Sequence, residues 1–239
     1  MQNLQFNTGV IKPIECAREA WELIKSDYWL LFAITLVGQL IGGISFCIVL
    51  GAMVCGIFYC YLKKVDGSGI SFDDLWKGFG WFWPGLIVTF AFVVPMFVVY
   101  AVIYGPFMVA MIMGSKLSED ELITMLVGAF AVDFVIIIIM VCFHTLLMFS
   151  FPLIVDRGLG AINAMTTSAK AVWKNLGGVG GLILVNFGLV LVGYAALCFG
   201  IYFVIPVIIA TNIVAYRKVF PALNQPIFSP PPPNAYEGI

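Results

Sequence analysis

Asp133 and His144 stand out chemically in this 239-residue chain, because both lie inside a long apolar run. An ionisable side chain there is costly in a bilayer and faces protein or water rather than lipid. Eleven residues separate them, about 1100° of helical rotation, which puts both on one face roughly 16 Å apart along the axis. They are too far apart to pair, and Ile137 and Met140 between them interrupt any polar relay. A proton or ion pathway would want further carboxylates or bases, but only the neutral Gln39, Asn186 and Asn212 accompany them. Two roles are open for Asp133: interhelical hydrogen bonding, or coupling of small-solute or lipid transport from a hydrated cavity. His144 is the sole histidine, so a haem held by two histidines would need a second protein. Zinc and Ser-His-Asp chemistry lack partners. Of the six cysteines, Cys16 lies on a polar N-terminal segment; Cys47, Cys55, Cys60, Cys142 and Cys198 lie in apolar runs. None has CxxC spacing, and they read as small apolar residues. No cofactor and no metal are expected.

The elements that must position these residues follow from composition. Apolar residues make up 62% of the chain and charged residues 10%, with mean hydropathy +1.05. A soluble domain carries roughly 25% charge, so a water-soluble globule and a disordered chain are excluded. The net charge of −1 gives no field to steer a polyanion, and no nucleic-acid partner is expected. A cleaved signal peptide is not expected either, because no basic segment leads into an apolar core at the N-terminus.

Charged positions mark the runs. Between Asp27 and Lys63 lie 35 uncharged residues, between Lys77 and Lys116 lie 38, and between Lys174 and Arg217 lie 42. Residues 122–155 are broken only by Asp133 and His144. A span needs about 20 residues, so the first and last runs read as tight hairpins, turning at Gly42-Gly43 and at Gly193 or Gly200. Each middle run reads as one helix, the first of them kinked or split by Pro95 and Pro106. The expectation is an all-α integral membrane bundle of six spans, at about 28–43, 46–62, 85–113, 121–150, 176–194 and 197–216. A Pro-rich tail, 221–239, follows and favours polyproline II around Pro230–Pro233. On this count eleven of the twelve basic residues share one side and only Lys116 stands opposite. The positive-inside rule then places both termini in the cytoplasm. Trp21, Trp29, Trp76, Trp81, Trp83 and Trp173 fall at that same interface as anchors.

Three segments read as amphipathic helices lying in the cytoplasmic interface, at about 13–27, 71–79 and 158–174. The first presents Ile14, Ala17, Trp21, Ile24 and Tyr28 as one apolar stripe, and the third presents Ile162, Met165, Ala169, Val172 and Leu176. Ala17-Arg-Glu-Ala-Trp21 matches Ala169-Lys-Ala-Val-Trp173, and Tyr61-Leu-Lys-Lys-Val65 matches Ala215-Tyr-Arg-Lys-Val219. Either a parallel internal repeat or chance likeness would account for so few identities. Gly38-x-x-x-Gly42 and Gly177-x-x-x-Gly181 are small-residue spacings suited to packing within the chain or to an oligomer.

The order Ala-x-x-Ala-Trp-x-Leu-x-Lys, apolar hairpin, Gly56-Ile-Phe-Tyr-Cys-Tyr-Leu-Lys63, then Gly69-Ile-Ser-Phe-Asp-Asp-Leu-Trp-Lys-Gly-Phe79 carries a resemblance. So does Phe151-Pro-Leu-Ile-Val-Asp-Arg157, followed by Ser168 and Trp173-Lys-Asn175. Over residues 10–220 the chain resembles uncharacterised six-helix bacterial inner-membrane proteins, related to the membrane domain fused to some glycerophosphodiester phosphodiesterases. The resemblance implies the six-helix fold and an inner-membrane location. It supplies no catalytic residues, and the phosphodiesterase barrel is absent. The expected role is therefore non-enzymatic: an accessory, scaffold or envelope-homeostasis protein, with membrane lipids and other membrane subunits or a second copy as partners. The alternatives are a transporter using Asp133 and a cofactor-binding subunit using His144.

Overall fold

Pro13 opens the first helix, where its missing N–H costs no hydrogen bond. This helix, α1 (Pro13–Ile24), meets α2 (Tyr28–Ile44) at 101°, so it lies across the foot of the bundle. There follow α3 (Leu50–Val65), a 3₁₀ helix (Phe72–Trp81), α4 (Phe82–Ile112), α5 (Glu119–Leu146), α6 (Ser150–Arg157), α7 (Ala161–Lys174), α8 (Leu176–Ala195) and α9 (Gly200–Val219). The computed structural model describes residues 5–45, 47–112, 118–195 and 200–222, and all regular structure among them is helical.

Four stretches are long and apolar enough to cross a membrane: one formed mainly by α4, one by α5 and α6, then α8 and α9. The bent α1–α2 pair makes a fifth. Only helices and closed barrels satisfy every backbone group without water, which is why such runs fold this way. α4 stays helical for 31 residues through Pro95, so of the two alternatives, kink or split, the chain is not split there. α2 and α3 have 17 and 16 residues. At 1.5 Å per residue they reach about 26 and 24 Å, short of a hydrocarbon core of about 30 Å.

Several boundaries move for identifiable reasons. The first hairpin turns after Ser45, with Cys47 in the left-handed region at φ 66°, and not at Gly42-Gly43, which lie within α2. Gly42 is instead a contact point: a Cβ there would lie 2.6 Å from Leu50 Cδ1. The turn of the last hairpin, between Ala195 and Gly200, lies outside the described residues, as do Cys198, Lys116 and the tail from 223 onward. The span expected to end at 150 breaks earlier, at Leu147–Phe149, and α6 then carries on to Arg157. Ser168 of α7 repairs that break. Its Oγ accepts from the Phe149 N–H at 3.1 Å and donates to the Leu146 carbonyl at 2.7 Å.

α3 is the hub, touching α2, the 3₁₀ helix, α4, α6 and α9. It achieves this with almost no side chain on one face. A Cβ on Gly56 would sit 2.0 Å from the Leu75 carbonyl oxygen, and one on Gly78 would sit 2.0 Å from that of Ala52. One on Gly51 would sit 2.3 Å from the Gly85 carbonyl carbon. Three glycines thus let the 3₁₀ helix and the start of α4 press backbone to backbone on α3. The segment expected to float in the interface at 71–79 is therefore folded onto the bundle, with Asp74, Leu75 and Gly78 buried.

Each amphipathic helix also docks on the bundle by one face. α1 buries Cys16, Ala20 and Ile24, while Ile14 is 70% exposed and Trp21 is exposed. α7 buries Ala161, Ala164, Ser168, Ala171 and Val172, while Ile162 is exposed. The inward faces are rich in small side chains, which let a helix lie close, with Ile24 and Val172 among them. α1 rests on α8 and α9, and α7 on α4, α5 and α6.

Gly56→Ala and Gly78→Ala should each cost about 3 kcal/mol or more, since backbone atoms cannot yield as side chains do. In detergent both variants should lose the monodisperse folded species on size exclusion. Gly43→Ala, where an added Cβ meets nothing within 4 Å, should elute as wild type.

Candidate functional site

The residues singled out within the long helices are joined to neighbouring helices. The Tyr104 hydroxyl of α4 donates to Asp133 Oδ2 of α5. His144 Nε2 lies 3.2 Å from the Phe92 carbonyl of α4, and its ring stacks on Phe92 with centroids 4.9 Å apart. Asp133 and His144 thus face the same neighbour, as their spacing predicts, but do not meet each other. On the second hairpin, Asn186 Nδ2 donates to Asn212 Oδ1 at 2.9 Å, linking α8 to α9. Gln39 is half-buried on α2 and joins none of these pairs. Among the described residues no three His, Cys, Asp or Glu side chains gather as a metal would require.

The densest polar chemistry lies at the foot of the bundle. Tyr216 and Arg217 close α9, Asp156 and Arg157 close α6, and Asp66 follows α3. Arg217 donates from Nε and one terminal nitrogen to both oxygens of Asp66, at 2.8 and 2.6 Å. Its other terminal nitrogen lies 2.8 Å from Asp156. Asp156 also accepts from the Tyr216 hydroxyl at 2.7 Å and faces Arg157 Nε at 2.8 Å. Arg157 donates to the Pro221 carbonyl beyond α9. Arg217 and Asp156 are only 11% and 12% exposed, whereas Asp66 is 35% exposed. Two cavities flank this arginine. One of about 180 Å³ is lined by Tyr59, Lys63, Asp66, Ser68, Asp156 and Arg217, among others. One of about 230 Å³ has Glu19, Asp66, Arg217 and Lys218 in its wall.

No family model, curated protein or solved structure matches the chain. The site must be read from its own geometry.

Around the arginine, further pairs tie successive elements together. Lys63 and Lys77 both donate to Asp74, at 2.8 and 2.7 Å, and Lys218 pairs with Glu19 at 2.8 Å. Lys64 donates to Asp27 and Ser26 between α1 and α2. The hydrogen bond from Lys64, helped by Ser26, holds the Asp27 carboxyl below its ordinary range. Asn175 clips the N-terminal segment: its Oδ1 accepts from Gly9 N–H at 2.8 Å, and its Nδ2 donates to the Ala171 and Asn7 carbonyls. Asn7 in turn donates to the last carbonyls of α9, at Lys218 and Val219. This is a set of clamps in which cations meet carboxylates.

Trp21, Trp29, Trp76, Trp83 and Trp173 are exposed around this foot. Trp81 differs, being half-buried against Tyr59 at 5.8 Å between ring centroids. The Asp66–Arg217–Asp156 clamp was not legible in the sequence beyond one hint: all three residues stand at ends of runs expected to share a side. Asp156 and Arg157 stand at the end of a helix, closed by Gly158 at φ 63°.

Arg217→Gln would leave Asp156 without its main cation and should cost about 3 kcal/mol, as breaking a largely buried pair does. Asp66→Asn removes a more exposed partner and should cost about 0.5–1 kcal/mol. Thermal unfolding in one detergent should rank wild type, Asp66→Asn and Arg217→Gln in that order.

Proposed function

We propose that the chain is a six-span membrane protein, with both ends on the cytoplasmic side. It acts without catalysis as an accessory or scaffold subunit in a larger membrane assembly. The observation that carries this reading is the engagement of Asp133, His144, Asn186 and Asn212 in contacts between helices. The Tyr104 hydroxyl engages Oδ2 of Asp133 and so ties α4 to α5. The His144 imidazole is stacked and bonded rather than presented to a cofactor. Much of the α4–α5 hairpin is apolar and outward-facing, with Phe97, Val102, Phe130 and Phe134 exposed, which suits lipid and membrane partners.

Three features support the span count and orientation. α2, α4 and α8 begin at the polar foot, while α3 and α9 end there and α5 returns toward it. The two short helices, α2 and α3, form one hairpin, and local thinning of the bilayer or polar ends would accommodate them. The clamped basic residues gather at one end, as the positive-inside rule requires of a cytoplasmic face. A bacterial inner-membrane location rests on the sequence resemblance. A parallel repeat draws support from matched positions: Cys16 and Ser168 are both buried, and Trp21 and Trp173 are both exposed.

Gentle detergent extraction should recover the protein with other membrane subunits in fixed ratio, and Asp133→Asn should leave that assembly intact. A partner-free protein that moves a solute in liposomes, with flux lost in Asp133→Asn, would overturn the reading. Cysteine labelling from the two sides should find positions 68 and 160 on the cytoplasmic side and position 118 on the other.

A further inference from the structure

An apolar groove of about 420 Å³ opens beside α7, lined by Phe6, Leu146, Ala169, Lys170, Trp173 and Lys174. Its volume falls within the range of small-ligand sites, about 300–1,000 Å³. The wall is apolar throughout, so the two lysines contribute their methylene stems and hold their ammonium groups at the rim. Both are exposed, and Trp173 between them is 66% exposed.

The charge at this rim is unbalanced. Lys12, Lys25, Lys63, Lys64, Lys77, Arg157, Arg217 and Lys218 each pair with a carboxylate. Lys170 and Lys174 have no such partner among the described residues, and α7 contains no acidic residue at all. They stand four apart on one helix, a spacing at which like charges repel. Two unmatched cations one turn apart, above an apolar trough at the Trp-marked foot of the bundle, complement a ligand with an anionic head and a hydrocarbon tail.

We propose that this groove binds an anionic phospholipid. One acyl chain lies along Phe6, Leu146, Ala169 and Trp173, and the phosphate sits between Lys170 and Lys174. Basic pockets on the cytoplasmic side of membrane proteins hold anionic headgroups in this way. A zwitterionic lipid would fill the trough equally well but would leave the two lysines uncompensated. The site rests on the membrane reading above, and it places a bound lipid against α7, the helix whose Ser168 repairs the α5–α6 break.

The test is native mass spectrometry of the full chain, released from mixed micelles with equal dioleoyl-phosphatidylglycerol and dioleoyl-phosphatidylcholine. Wild type should retain phosphatidylglycerol at least fivefold over phosphatidylcholine. The Lys170→Gln/Lys174→Gln double variant should fall to near parity with its helical content unchanged, and Lys170→Arg/Lys174→Arg should restore the preference. Arg18→Gln, which removes the other described cation without a carboxylate partner, should behave as wild type. Equal retention of both lipids by wild type would make the groove a neutral apolar contact and overturn the proposal. So would a preference that survives the double Gln variant. A chain recovered without detergent in the soluble fraction would instead overturn the membrane reading itself.

Discussion

Between α3 and the segment that follows it, two backbones lie where side chains would normally stand. Gly51, Gly56, Gly78 and Gly85 leave no room for a Cβ at this seam. Because lipid tails are as apolar as leucine, helix association in a membrane draws on close packing rather than on escape from water. The seam supplies that packing at the hub of the bundle. It seats the 3₁₀ helix on α3, carries Asp74 to where Lys63 and Lys77 meet it, and sets where α4 begins. The α4–α5 hairpin, with Asp133 and His144, is attached to the molecule from that point.

Polar groups complete what the seam begins, and they do so in two registers. Along the long helices they are few, and each pair stitches one helix to the next: Tyr104 to Asp133, Phe92 to His144, Asn186 to Asn212. At the foot they are many and interlocked, with Arg217 holding α3 and α6 against α9. Lys170 and Lys174 are the pair this economy leaves over. Their unmatched charge is conspicuous because so much of the other charge nearby is matched.

How far the sequence could be read differs from element to element. Helix content follows from charge-free runs and local periodicity, as in the last run, which carries α8 and α9. That Asp133 and His144 share a face follows from helical rotation alone. Which partner each would find does not, because Tyr104 and Phe92 lie far away in sequence. The stripes on α1 and α7 were legible as amphipathic, whereas the small-residue faces that dock these helices on the bundle were not. Close approach between helices favours Cys16, Ala20 and Ala164 at the contact, while Ile14 and Ile162 face away from the protein. The residues Ser168 and Asn175, conspicuous only as parts of a motif, proved to satisfy a broken helix and an N-terminal segment.

The sequence by itself determined the class of molecule. Scarce charge demands a membrane, long apolar runs in a membrane demand helices, and basic residues at run ends mark one pole. The tertiary structure alone decided which glycines matter, which helix faces turn inward, and that Arg217 joins Asp66 to Asp156. The physical reason is locality. Solvent preference and helical period are properties of neighbouring residues, whereas backbone contact and charge pairing depend on residues that meet only after the chain has folded.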